Sequence, residues 1–366
     1  MSSQSRTVRS RRSAGPVRVA VTGAASGFAG TLALEIAAAG DRVIGLDQRA
    51  GAAGDVQWRL SDIASPQVVG ALHDVDALVH VAHGADLVAA LAEPSPDRRA
   101  RLVREVQTLS TAAAAAGVSH LVVITSAMVY GARPDNPVPL PEDSPLRAGD
   151  TEGVVADLVE LEQLLETARS VHPGLTITSV RPAALVGPGV DTIITRHFEA
   201  PRLLTLRECA PAWQFCHVED LARAIVTVLH ADLPREVAVG AWGSLTQQEV
   251  EEISGMRHVE LAPAAAHGAA DRLHRLGLLP LPASDLAYVS HPWVVAPQSL
   301  TDHGWYAAYD NATSLSVLLE GVRGHHAVMA RRVQRRDAAL GAAGAASATV
   351  AVVATAALMR RRRGRG

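Results

Sequence analysis

From residue 17 onward, short apolar runs alternate with longer stretches whose apolar positions recur at helical spacing. Residues 17–22, 42–46, 56–60, 77–82, 120–126 and 175–181 are short runs rich in Val, Ile and Leu, and the pattern predicts strands there. Residues 27–39, 97–116 and 219–230 are longer and read as helices; Gly40 and Gly117 supply stops for the first two. Strands alternating with helices predict an α/β fold built on a parallel, doubly wound sheet. Residues 231–322 alternate short elements with Pro and Gly. Together with 183–210 they predict a smaller C-terminal substrate lobe on a main unit of 17–322.

The flanks carry a different composition. Residues 1–16 hold four Arg, no acid and no apolar run, which predicts a disordered basic tail and not a secretory signal. Residues 323–366 hold ten Arg against a single acid, while 17–322 hold 20 Arg against 36 acids. An acidic body between basic ends is not the footprint of a nucleic-acid-binding domain. All 34 basic residues are Arg. The absence of Lys excludes a Lys base, a Schiff base and a Walker lysine. Two cysteines, Cys209 and Cys216, are too few for a disulfide scaffold and point to a reducing cytoplasm; no metal site is expected.

The 22 residues 338–359 carry no charge and eleven Ala. As an Ala-rich C-terminal helix they would measure about 33 Å, the thickness of a hydrocarbon layer. Three readings stand for 323–366. It is a membrane helix with the body held at the cytoplasmic face, or a linker whose terminal Arg cluster touches anionic lipid. The third reading is a helix packed on the core or touching nucleic acid.

Candidate chemistry concentrates at the first strand. It runs into Gly23-Ala-Ala-Ser26-Gly27-Phe28-Ala-Gly30 and then into a helix. A glycine-rich turn at a strand-to-helix junction lets backbone N–H groups approach a pyrophosphate, which the helix N-terminus stabilises. Asp47 closes the second strand, where an acid accepts ribose hydroxyls. Its charge favours NAD over NADP, although Arg49 leaves NADP open.

With these residues in place, the chain resembles the extended short-chain dehydrogenases/reductases, the NAD-dependent epimerase/dehydratase family, over about 17–322. The glycine turn is similar to the family's, one residue longer than its usual extended form. Asp62-Ile63 resembles its adenine-contacting pair, and Val81-Ala82-His83 its turn beside the cofactor. The segment Thr125-Ser126 to Tyr130-Gly131 resembles its Ser-Ser-x-x-Val-Tyr-Gly. Arg181-Pro182 to Gly187-Pro188-Gly189, Phe215-Cys-His217-Val-Glu-Asp220 and Gly304-Trp305 resemble its later motifs. The resemblance implies a Rossmann-type fold and an NAD cofactor bound near Gly23, Ser26, Gly27, Phe28, Gly30, Asp47, Asp62, Ile63, Val81, Ala82, His83 and Arg181. It further implies a nucleotide sugar or small carbonyl compound as substrate, and pairing of two copies through helices of the nucleotide domain.

The same resemblance exposes a gap. Members use Ser or Thr at the Ser126 position with a Tyr-x-x-x-Lys pair further on, in which the Tyr moves a proton. Aligned through Glu162-Gln163-Leu164, the pair falls on Val154 and Leu158, and there is no Tyr between Tyr130 and Tyr288. Either another acid/base has been recruited, from Glu152, Asp157, His83, His197 or His217, or the protein is an inactive dinucleotide-binding or scaffold module recruited to a membrane or partner by its basic tails. A placed acid/base in 150–162 favours the enzyme; an apolar wall there favours the module.

Overall fold

In the computed structural model, described for residues 15–25, 27–52, 54–82, 85–148, 153–279, 281–323, 325–328 and 331–334, the apolar runs form a seven-stranded parallel sheet. Its first six strands are β1 (Arg18–Thr22), β2 (Arg42–Asp47), β3 (Gln57–Leu60), β4 (Ala77–Val81), β5 (His120–Ile124) and β6 (Thr176–Pro182). β7 (Ala184–Val186), β8 (Leu203–Leu206), β9 (Ala212–Trp213) and β10 (Phe215–His217) then lie outside this sheet. β11 (Glu236–Val239) returns to pair with β6. The order β11-β6-β5-β4-β1-β2-β3 reverses direction between β1 and β4. Such a switch point opens a crevice at the carboxyl ends of the two strands.

Alternation along the strands buries both faces. Val19 and Val21 of β1 join Phe28, Leu32 and Ile36 of α1 (Gly27–Ala38) in one core. Ala20, Ile44 and Leu78 face the other core. It is built with α2 (Val68–Ala71), α3 (Leu87–Ala92), α4 (Ser95–Ala116) and α5 (Gly153–Val171). Each fully buried Leu or Ile contributes about 1.5–3 kcal/mol relative to exposure, so neither face tolerates a register slip. α4 begins before residue 97 because Pro96 sits in its first turn, where a missing N–H is harmless. Gly117 ends it at φ 75°, its N–H reaching Ala113 and Ala114 carbonyls.

The remaining helices begin with α6 (Ile193–Glu199), α7 (Val218–His230), which packs beside α1, and α8 (Gln247–Ser254). They continue with α9 (Pro263–Arg275), α10 (Gln298–Asp302) and α11 (Asn311–Val322). β12 (Leu245–Thr246) pairs with β9, β13 (His258–Leu261) with β8, and β10 with β7. β14 (His325–Val328) and β15 (Arg331–Gln334) form an antiparallel hairpin in the stretch expected to be tail. Among the described residues no helix is long and apolar enough to cross a membrane. The 338–359 segment lies outside them.

Candidate functional site

The glycine turn sits at the switch point. Gly23 takes φ 69° and its N–H bonds Leu46 O at 2.9 Å, joining the turn to the end of β2. Gly27 opens α1 at φ 62°, and a Cβ placed there would meet nothing within 4 Å. A Cβ on Gly30 would lie 3.2 Å from Ala24 O, so the small residue lets the helix close on the turn. The first turn of α1 carries no acid. Open space beside Gly27, a left-handed backbone and an uncharged helix start fit a phosphate group. Phe28 was expected at this site, but its side chain belongs to the core; only its amide remains for a ligand.

Asp47 closes β2 beside the turn. Its Oδ2 accepts the Ala25 N–H at 3.2 Å and its Oδ1 the Arg49 N–H at 3.4 Å. Trp58, which the sequence reading passed over, braces this corner. A Cβ on Gly45 would come within 2.6 Å of the indole, and one on Gly51 within 2.7 Å of it and 3.0 Å of Ala25 Cα. The ring is therefore held between the two glycines, pressing the β2–β3 loop towards the turn. The signal was present in the sequence as two glycines flanking Asp47, but the pairing of Gly45 with Trp58 is a register fact. Asp62 is exposed, and its Oδ1 caps a turn by accepting the Ala64 N–H at 3.0 Å; Ile63 is half-buried beside it. Val81 ends β4 and Ala82 is buried after it, while Ser26 and His83 lie outside the described residues.

Two loops tie across the crevice. The Asp191 N–H donates to Ala85 O at 2.6 Å, and the Leu87 N–H donates back to Asp191 O at 2.9 Å. Arg196 clamps the Asp191 carboxylate through Nε at 2.8 Å and Nη2 at 2.7 Å. A Cβ on Gly189 would lie 4.0 Å from Gly27 Cα, so the loop after β7 passes over the glycine turn.

The positions on which the resemblance puts the Tyr–Lys pair are built differently. Val154 is 6 % exposed and Leu158 3 %, both in the core under α4 and α5. Val154 also borders a cavity of about 680 Å³ with Leu91, Arg98 and Leu281. Asp157 between them is buried and paired: Arg98 Nε donates at 2.6 Å and Arg99 Nε at 2.8 Å. Ser126 Oγ accepts the Met128 N–H at 3.2 Å, capping the one-turn helix Ala127–Tyr130.

Arg181 departs from its expected cofactor contact. It is buried, and its Nε and Nη2 donate to Glu162 at 3.0 and 2.8 Å, while Nη1 donates to the Tyr130 hydroxyl at 3.0 Å. Thr125 Oγ1 donates to Glu162 at 2.6 Å, and Tyr130 OH to Glu142 O at 2.6 Å. Burial pushes Glu162 up, but the Arg181 and Thr125 hydrogen bonds outweigh it and leave the carboxyl below its ordinary value. Burial pushes the Tyr130 phenol up to about 12 despite Arg181, and its buried hydroxyl is engaged by Glu142 O and Arg181.

Of the histidines considered as recruits, the two described ones, His217 and His197, are engaged or enclosed. His217 caps α7, its Nδ1 accepting the Glu219 N–H at 3.3 Å, and stacks on Tyr309. His197 stacks on Trp213 at 5.5 Å with its Nε2 enclosed. Glu152 lies outside the described residues. Among the described residues no cluster of His, Cys, Asp or Glu is disposed to hold a metal.

A doubly wound sheet with a phosphate-type glycine turn at its switch point and an acid at the end of the second strand defines a nucleotide-binding α/β protein. The model of the NAD dependent epimerase/dehydratase family matches residues 19–240, and the chain belongs to that family. It is 25% identical over 287 residues to uncharacterized proteins of Mycobacterium bovis and Mycobacterium tuberculosis, covering 75% of this chain and 76% of each of theirs. Among solved structures it is similar to MoeE5 in complex with UDP-glucuronic acid and NAD (22% identity, TM-score 0.60, 84% of this chain and 99% of that one). It is also similar to DesIV, a dTDP-glucose 4,6-dehydratase from Streptomyces venezuelae with NAD and TYD bound (20%, TM-score 0.62, 84% and 97%). A third likeness is the UDP-glucose 4-epimerase of Thermotoga maritima with UDP-glucose (16%, TM-score 0.61, 84% and 99%). At these identities the structures establish the fold.

Proposed function

We propose that this protein binds NAD(H) at the glycine turn and does not carry out the Tyr–Lys proton chemistry of its family. It acts as a dinucleotide-responsive binding member. The observation that carries this reading is the contrast inside one cleft: an open, acid-free turn with Asp47 at one end, and Val154 and Leu158 packed into the core at the other. Bound cofactor would supply a hydride donor or acceptor; this chain's residues would hold its phosphates with the Gly27 and Phe28 amides and its ribose with Asp47. Asp47 favours NAD over NADP by charge.

One observation supports a second reading as an enzyme with a recruited acid/base. The cavity beside Val154 is within the range of small-molecule sites, about 300–1,000 Å³. UDP- and dTDP-sugars are the substrate class to try there, because two of the similar structures carry UDP-sugars and a third is named for a dTDP-sugar. The test is to incubate the purified full chain with NAD and a panel of UDP- and dTDP-sugars and follow nicotinamide absorbance and product formation. Binding of NAD without oxidation, epimerisation or dehydration supports the binding member. Turnover of any sugar would replace it with the second reading.

A further inference from the structure

Away from the cleft, at the carboxyl end of edge strand β11 and along α10, lies a cavity of about 420 Å³. Its lining includes Trp242 and Tyr306, which are 68% and 71% exposed. Among the described residues these are the only strongly exposed aromatic side chains, and both border the same cavity. Large exposed rings converging on one concavity mark a binding surface, since each leaves apolar area in water that a ligand would cover.

The remaining chemistry narrows the ligand. Gln298, Thr301 and Asp302 of α10 line the cavity, and Gln298 Nε2 donates to Asp302 Oδ1 at 2.7 Å. This presents an amide, a hydroxyl and a carboxylate beside two aromatic faces. No Arg borders the cavity, and Asp302 repels anions, so a phosphate or nucleoside diphosphate is excluded there. We propose that this cavity is a carbohydrate-binding subsite that takes a neutral hexopyranoside. The weakly positive C–H faces of the sugar ring pack on the electron-rich faces of Trp242 and Tyr306. Its hydroxyls donate to the Asp302 carboxylate and exchange hydrogen bonds with Gln298 and Thr301.

The platform is pre-organised. Buried Asn311 accepts the Phe215 N–H through Oδ1 at 2.8 Å and donates through Nδ2 to Trp242 O at 3.1 Å. Trp305 is buried next to Tyr306, and its backbone N–H bonds Leu300 O at 3.0 Å. The backbone beneath both rings is thus held in place, which reduces the ordering that a weak, shallow sugar contact must impose. The site shares no lining residue with the glycine turn, so it does not depend on how the cofactor cleft is used.

The test is saturation-transfer NMR on the full chain with methyl glucoside, galactoside and mannoside, alongside tetramethylammonium and a proline-rich peptide. The expected result is saturable binding of at least one glycoside in the millimolar range. Trp242→Ala and Tyr306→Ala each weaken it about tenfold, Asp302→Asn less, with unchanged circular dichroism and NADH affinity. Three results overturn the proposal: no saturation by any glycoside up to about 100 mM, equal affinity in the Trp242→Ala Tyr306→Ala double variant, or binding confined to tetramethylammonium or the peptide.

Discussion

The glycine turn and the start of α5 are built on different physics. At the turn, function rests on backbone: Gly23 and Gly27 hold left-handed conformations, and the start of α1 stays free of acid. At the start of α5, Val154 and Leu158 are core residues, and Asp157 between them forms a buried pair with Arg98 and Arg99. Backbone geometry survives because the fold itself needs it; Gly30 must be small for α1 to close on the turn. Apolar side chains at the start of α5 contribute packing instead.

The largest expected effect breaks the internal network between the two ends. Glu162→Ala leaves the Arg181 guanidinium buried and unpaired, so urea unfolding should show a loss of about 3–5 kcal/mol, with Glu162→Gln less severe. An unchanged midpoint would mean that Arg181 finds water or another partner. Next, reinstalling the family pair tests the catalytic end. Val154→Tyr with Leu158→Lys places an ammonium in an apolar core and should lower stability by several kcal/mol without creating sugar turnover. Activity in that double variant would show that the rest of the catalytic frame is intact.

Gly27→Glu tests the binding end: a side chain at φ 62° and a carboxylate at the helix start should weaken NADH about a hundredfold, read by calorimetry. The fourth effect concerns pH. Burial, with the Arg101 charge acting the same way, lowers His80 from 6.5 to about 4. The unfolded chain takes up this proton first, so the stability involved is complete above pH 6.5 and is lost as pH falls from 6.5 towards 4. The full effect is at most about 3 kcal/mol, and His80→Leu should flatten that part of the melting-temperature profile. The smallest effect separates capping from catalysis: Ser126→Ala should cost only about 0.5–1 kcal/mol in stability and leave NADH affinity unchanged.

Much of the frame was legible in the sequence because its causes are local. Apolar runs of strand length and a glycine turn between β1 and α1 follow from nearby residues. What was not legible depends on partners far along the chain. Arg181 reads as a cofactor contact until Glu162, one helix away, and Tyr130 are seen to hold it. Trp58 has no motif; only its register beside Gly45 gives it a role at the Asp47 corner. The tie between Ala85 and Asp191 joins loops separated by most of the nucleotide domain. The converging exposure of Trp242 and Tyr306 likewise requires the fold.

The most direct measurement of the central claim is a calorimetric titration of the full chain with NADH, with the Gly27→Glu variant and NADPH in parallel. Saturable binding of NADH that is lost in the variant and weaker for NADPH is the predicted result. Absence of binding at about millimolar cofactor, or equal affinity in the variant, would contradict the account and leave the glycine turn as scaffold alone.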